Sequence, residues 1–259
     1  MIFDSKPSIV GHRGFGSGHR GGYRENTVAS FLAAVACGLC WVELDVYRSR
    51  DGELVVCHEP VAHSGGAIVT HTAAELAAEG IATLTEVLTA LPADVAVDID
   101  VKTIINDAVD PPPHRTHSLV ADVLRREHRT RRFLVSSFDP SAVAGLAGQR
   151  EALGDVALGL IAGSGFPARH AIPAAANLGL DAVCLHTDLL NLHAEHSSPA
   201  VLTPKRIVQT AHQAGLEVMA WSPDPDDAVL LAAAGVDAVC VNDVPGVQAA
   251  LASAVGNRG

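Results

Sequence analysis

Eight short, strongly apolar runs recur along the 259 residues with helix-patterned segments between them, and no other feature limits the fold as much. They span residues 8–11, 41–47, 95–101, 132–136, 157–161, 182–186, 217–221 and 238–242. Most are continuous Val, Ile, Leu, Ala and Cys, as in strands buried on both faces. The segments between them carry helix starts. Asn26-Thr27 precedes an apolar stripe of Val28, Phe31, Leu32 and Val35, and Thr72-x-x-Glu75 and Thr83-x-x-Glu86 read as capping boxes. Thr203-Pro204 places a cap and then a proline in the first turn, and Gly215 sits where that helix should end. Eight strands alternating with helices predict an α/β fold, a (β/α)8 TIM barrel, with a doubly wound open sheet as the alternative.

A further short strand, residues 54–57, follows the second run through Arg50-Asp51-Gly52 and predicts a β-hairpin insertion after strand 2. No repeat or linker divides the chain, so residues 1–259 read as a single domain. The prolines at 111–113 read as a stiff active-site loop after the third strand.

Charge narrows the partners. Eighteen Lys and Arg against 29 Asp and Glu give a net charge of −11, which argues against nucleic acid and anionic membrane. A small phosphorylated substrate stays compatible, because a local cation outweighs the global field at short range. No run reads as a signal peptide or a membrane span, so the expectation is a cytoplasmic protein without integral membrane association. Nothing in the sequence sets its assembly, and a homo-oligomer remains open. The odd count of five cysteines suits reduced, buried thiols. Cys37-Gly-Leu-Cys40 has half a zinc site's spacing but lacks a second pair.

The chemistry concentrates where the runs end. In a barrel the active site lies at the C-terminal ends of the strands. Those ends carry His12-Arg13, Glu43 and Asp45, Asp98, Asp100 and Lys102, Ser136-Ser137, His186, Trp221 and Asn242-Asp243; the fifth run alone ends without such a residue. Positions i and i+2 of a strand share a face, so Glu43 points with Asp45, and Asp98 with Asp100 and Lys102. Facing inward, these carboxylates cannot all stay ionised without a cation, and an oxygen-only donor set suits Mg2+ or Ca2+.

Other polar residues are ambiguous. His186 fits substrate contact and a hydrogen-bonded core imidazole equally. Ser136-Ser137 lacks a nucleophile elbow and reads as hydrogen-bonding inside the barrel mouth. His193 and His196 read as a solvated loop, not a second metal site. The Gly-rich loop 16–22 reads as a lid, with a cradle for an extra anion through its amides, His19 and Arg20 as the alternative.

Taken in order, several stretches resemble the glycerophosphodiester phosphodiesterase family over nearly the whole chain. They are His12-Arg13-Gly14, Glu25-Asn26-Thr27, Val42-Glu43-Leu44-Asp45-Val46, His58, the segment 81–88, Asp98-Ile99-Asp100-Val101-Lys102, the segments 136–140 and 214–218, Trp221, and Gly235-Val236-Asp237 through Asp243-Val244-Pro245. The resemblance implies metal-dependent hydrolysis of a small-molecule glycerophosphodiester to glycerol 3-phosphate and an alcohol, on a barrel holding one divalent cation. Glu43, Asp45 and Asp100 take the family's metal positions, and His12 and His58 the catalytic acid/base pair. Arg13, Glu25, Lys102 and Trp221 take the substrate contacts. A lyase releasing a cyclic phosphate and a catalytically silent barrel binding a phosphorylated ligand are the alternatives. Asp100 stands where the family usually has glutamate, Asp98 replaces a common asparagine, and Arg24 replaces a common proline, departures that fall mostly on the substrate rim.

Overall fold

The structure is a computed structural model and describes residues 1–193 and 202–256. The eight apolar runs become eight strands: β1 (Ser8–Gly11), β2 (Trp41–Arg48), β3 (Ala96–Val101), β4 (Phe133–Ser137), β5 (Ala157–Ala162), β6 (Ala182–His186), β7 (Glu217–Trp221) and β8 (Ala238–Val241). Neighbours pair in parallel from β2 round to β8, and β1 pairs with both β8 and β2, which closes the barrel and rules out an open sheet. Each boundary falls within one residue of its sequence expectation.

Closure divides every strand into two faces. Val42, Leu44, Val46, Val97, Ile99 and Val101 point outward into the large apolar layer shared with the helices. Trp41, Ala96, Leu134, Cys184, Met219 and Cys240 point inward and fill the lower barrel. The same alternation turns Glu43, Asp45, Asp98 and Asp100 inward above that apolar floor. Phe3, from a segment that reads as polar, is fully buried and closes the bottom, its ring 5.1 Å from that of Trp41. Glu217 holds that segment by accepting from the Ile2 and Phe3 amides.

The helix starts form as their caps dictate. Thr27 caps Val28–Ala36, Thr72 and Thr83 each close a reciprocal box with the glutamate three residues on, and Thr203 caps Pro204–Gln213. Gly215 follows the Ala214 cap at φ +80°, one residue beyond the expected end, where a left-handed residue belongs. Leu54–Val56 pairs antiparallel with the end of β2, forming the expected hairpin. After it, the chain folds over a satellite core of Tyr47, Val55, Cys57, Ile68, Leu76 and Ile81. A second, two-stranded ribbon, His19–Arg20 with Tyr23–Arg24, begins within the Gly-rich 16–22 loop and gives it local structure.

Two expectations need correction. Cys37 and Cys40 are exposed, because Cys37 caps the solvent end of a helix and Cys40 lies just before β2; Cys57, Cys184 and Cys240 are buried, and all five are free. Pro112–His114 forms a 3-10 turn, and none of the three prolines lines the cavity at the barrel mouth.

Candidate active site

The mouth of the barrel holds a cavity of about 90 Å³, lined by His12, Arg13, Glu43, Asp45, His58, Asp98, Asp100, Lys102 and Trp221 among others. Eight of the nine residues singled out from the sequence converge on it. Glu25 does not line it, but pairs with Arg13 and faces an adjoining groove.

Placement begins with register. β2 and β3 align Glu43 beside Asp98 and Asp45 beside Asp100, so two short i, i+2 patterns become a two-by-two array of carboxylates. Carboxylate oxygens of Glu43, Asp45 and Asp100 all come within 4.8 Å of one another. The aspartate at 100 therefore reaches the cluster despite being shorter than glutamate. Asp98 lies deeper and accepts from the Ser136 hydroxyl at 2.9 Å, while Ser137 donates to the Val101 carbonyl.

The Gly11–Gly14 turn sets the first strand's contribution. A Cβ on Gly11 would lie 2.1 Å from the Gly14 carbonyl oxygen, and one on Gly14, at φ +94°, 2.5 Å from Ser30 Oγ. Only glycine lets the chain turn this tightly, and the turn holds Arg13 in the left-handed region at φ +52°. Its amide then donates to Glu43 at 2.8 Å, and its guanidinium reaches Glu25 at 3.1 Å and Asp45 at 3.3 Å.

Two asparagines, to which the sequence assigned no role, position the functional groups. Asn26, also left-handed at φ +54°, grips Asp45 twice. Its Nδ2 donates to Oδ2 at 2.7 Å, and its Oδ1 accepts from the Asp45 amide at 3.2 Å. Asn242 Oδ1 accepts from the Ser17 amide at 3.0 Å, which fixes which end of the amide is oxygen. The same oxygen lies 2.7 Å from His12 Nδ1, so Nδ1 must carry the proton. His12 Nε2, left with its lone pair, lies 3.9 Å from Glu43. Both asparagines stand in motifs recognisable from the sequence, but the pairings join residues 19 and 230 positions apart.

Electrostatics follow from burial. Desolvation pushes Glu43 well above the usual carboxylate range, Asp98 up to about 8 and Asp100 up to about 6. Burial acts on Asp45 as well, yet Lys102 and Arg13 outweigh it and hold that carboxyl below its ordinary value. Lys102 Nζ lies 2.8 Å from Asp45 and also bonds Asp100, which raises its own pKa despite burial. Burial, reinforced by Arg13, lowers His12 to about 4, so the imidazole is neutral at neutral pH.

Across the cavity, Trp221 stacks edge-on with Phe138, at 5.8 Å, and with His186, at 4.3 Å. Its indole Nε1 is buried without a hydrogen-bond partner among the described residues. His186 is thus half-buried in an aromatic wall, and its Nδ1 accepts from the Asp188 amide. Phe138 was missed as a site residue, although a large aromatic directly after a strand's C-terminal end was a readable signal. His193 pairs with Asp227 at 2.6 Å, and His196 lies outside the described residues.

A family model described as the glycerophosphoryl diester phosphodiesterase family matches residues 12–245, the span that holds every residue of this site. The chain belongs to the glycerophosphoryl diester phosphodiesterase family. A Mycobacterium tuberculosis protein named "Probable glycerophosphodiester phosphodiesterase 2" is 30% identical over 234 residues, covering 84% of this chain and 80% of that one. Among solved structures, an Oleispira antarctica phosphodiesterase in complex with the product sn-glycerol-3-phosphate has a TM-score of 0.76 at 22% identity, covering 95% of this chain and 97% of its own. A glycerophosphodiester phosphodiesterase from Parabacteroides distasonis has a TM-score of 0.76 at 19% identity, covering 96% and 98%. These structural likenesses show the shared fold; the family match carries the reaction class, hydrolysis of a phosphoric diester.

The glycerophosphoryl diester phosphodiesterase family is metal-dependent, and the acidic residues here fit a metal. Asp100 Oδ1 is buried with no hydrogen-bond partner among the described residues, an unsatisfied acceptor on one of the three clustered carboxylates. Three convergent carboxylates without nitrogen or sulfur donors form a set for a hard divalent cation. Among the described residues, no helix is long and apolar enough to cross a membrane.

Proposed function

We propose that residues 1–259 act as a single catalytic domain that hydrolyses glycerophosphodiesters to glycerol 3-phosphate and an alcohol, with His12 as general base and His58 as general acid. The observation that carries this reading is the meeting of one neutral, tautomer-fixed histidine, a second histidine, two cations and four carboxylates in one cavity. Glu43, Asp45 and Asp100 would hold a divalent cation, Mg2+ or Ca2+, whose charge would offset the negative charge gathering on the phosphoryl oxygens.

The chain's own residues supply the rest. Arg13 and Lys102 neutralise the diester's charge as phosphorus becomes five-coordinate. His12 Nε2, with its lone pair free, takes the proton from the attacking oxygen, whether that oxygen is water or the substrate's 2-hydroxyl. His58, which lines both the cavity and the adjoining groove, gives its proton to the departing alkoxide, with Glu59 2.9 Å from its Nδ1. Trp221 offers its unpartnered Nε1–H to a glycerol hydroxyl, and Phe138 extends that apolar wall. Glu25 acts through Arg13, whose guanidinium it holds. A cytoplasmic location is supported by five free cysteines.

The test is turnover of glycerophosphoethanolamine with Mg2+ or Ca2+, followed by phosphorus NMR with and without EDTA. Glycerol 3-phosphate is expected only with metal; a persistent cyclic ester would replace this reading with a lyase, and no turnover across a broad diester panel would refute it. His12→Ala and Glu43→Gln should each lower kcat by at least about 10²-fold, the usual yield of a general base. Retained activity in either overturns the assignment.

A further inference from the structure

We propose that the groove beside His58 is the leaving-group subsite, and that Arg24 there selects alcohols bearing an anionic group. The inference rests on the reading of His58 as the acid that protonates the departing alcohol.

Volume shows that the substrate must extend out of the cavity. The cavity of about 90 Å³ is far below the roughly 300–1,000 Å³ of sites that enclose a drug-sized ligand. The groove next to it, about 380 Å³, is large enough for the remainder, and the His58 ring lines both. A diester with its phosphorus over the acidic cluster and its leaving oxygen at His58 directs its alcohol into this groove.

The walls then set what that alcohol can be. Cross-strand partners in the 19–24 ribbon are His19 and Arg24, so the two share a face, and both line the groove. Arg24 is held in place: its guanidinium lies 2.9 Å from His63 Nε2, and the His63 amide donates to Glu79 at 2.7 Å. Among the described residues, no carboxylate pairs with Arg24. Glu25 is taken by Arg13, Glu59 by His58, and Glu79 by the 63–64 backbone. In a chain of net charge −11, a positioned arginine without a carboxylate partner, over a floor of Val56, Ile68 and Ile81, is a receptor for an anion at the end of a short aliphatic link. Among the described residues, no Phe, Tyr or Trp lines the groove, so it lacks the electron-rich faces of a cage for a quaternary ammonium.

The experiment compares kcat/KM for four diesters of glycerol 3-phosphate: with glycolate, with glycerol phosphate, with glycerol and with choline. The wild-type enzyme should prefer the two anionic headgroups, and their relative rates tell carboxylate from phosphate. Arg24→Ala should reduce the anionic-to-neutral preference about tenfold, Arg24→Lys should keep most of it, and Arg24→Glu should invert it. Raising the salt should shrink the wild-type preference, because an exposed pair is screened. An unchanged preference in Arg24→Ala, or a wild-type preference for choline, overturns the subsite while leaving the hydrolase reading intact. No turnover of any diester by the wild type overturns both.

Discussion

Asn26 gives the sharpest test of how the acidic cluster is built. Replacing it with alanine removes the Nδ2 donor to Asp45 Oδ2 and the Oδ1 acceptor of the Asp45 amide, with both residues buried. A hydrogen bond to a charged group contributes about 1.5–3 kcal/mol, and an orphaned buried amide costs about 1–3 kcal/mol. Alanine must also adopt φ +54°, a left-handed strain of about 1 kcal/mol. Because Asp45 keeps Lys102 at 2.8 Å and Arg13 at 3.3 Å, part of the loss is recovered, and the net is about 3–5 kcal/mol. Glycine lacks the strain and should recover about 1 kcal/mol of the alanine loss. Urea unfolding followed by circular dichroism, in EDTA so that metal binding adds nothing, measures all three proteins. Identical midpoints for Asn26→Ala and Asn26→Gly refute the strain argument. If both lie within about 0.5 kcal/mol of wild type, the range of an ordinary surface substitution, the clamp itself is refuted.

Two further predictions bear on other contacts. Asn242→Ala removes the acceptor that keeps the proton on His12 Nδ1, and kcat should fall about 10–100-fold with the midpoint of unfolding little moved; wild-type kcat would refute the tautomer argument. Asp237 is buried, which alone would raise its pKa, but Lys6, the Val218 amide and His212 outweigh that and hold it below the usual carboxylate value. With the folded pKa below the unfolded one, its stabilisation is complete above about pH 4 and is lost as pH falls through the folded pKa. Asp237→Asn should therefore lower stability at neutral pH and flatten the acid arm of the stability–pH curve, and urea midpoints from about pH 2 to 7 showing an unchanged acid slope would contradict it.

The strands were legible because both of their faces are buried. A run such as Ala238–Val241 has no alternation to misread and is bounded by polar residues at its upper end. The acids of the cluster were legible for a related reason: Glu43 and Asp45 interrupt an otherwise apolar run at i and i+2, which places both on one face of the strand. What escaped the sequence was pairing across distance. Glu25 reads as a substrate contact until its pairing with Arg13 is seen, and Asn242 reads as a strand end until Ser17 orients its amide. Phe3 escaped because its neighbours are polar, and the exposure of Cys37 and Cys40 because the end of an apolar helix does not say which side of it faces water.

The same array sets a charge balance against an anionic substrate. Glu25, Glu43, Asp45, Asp98 and Asp100 gather around Arg13 and Lys102, so five carboxylates against two cations leave a formal charge of −3 when all are ionised. Burial already resists that state, as the raised Glu43, Asp98 and Asp100 show. A phosphodiester monoanion entering such a cavity would add like charge where the dielectric screens it least. A divalent cation held by Glu43, Asp45 and Asp100, as proposed, would reduce the deficit to −1, and protonation of the deep Asp98, whose pKa burial pushes up to about 8, would remove it. At that balance the site is neutral, and Arg13 and Lys102, each already bonded to a carboxylate, would face an incoming phosphate without a net like charge behind them. The acidic cluster would thus be both the proposed metal site and the barrier to the bare enzyme's binding an anionic substrate.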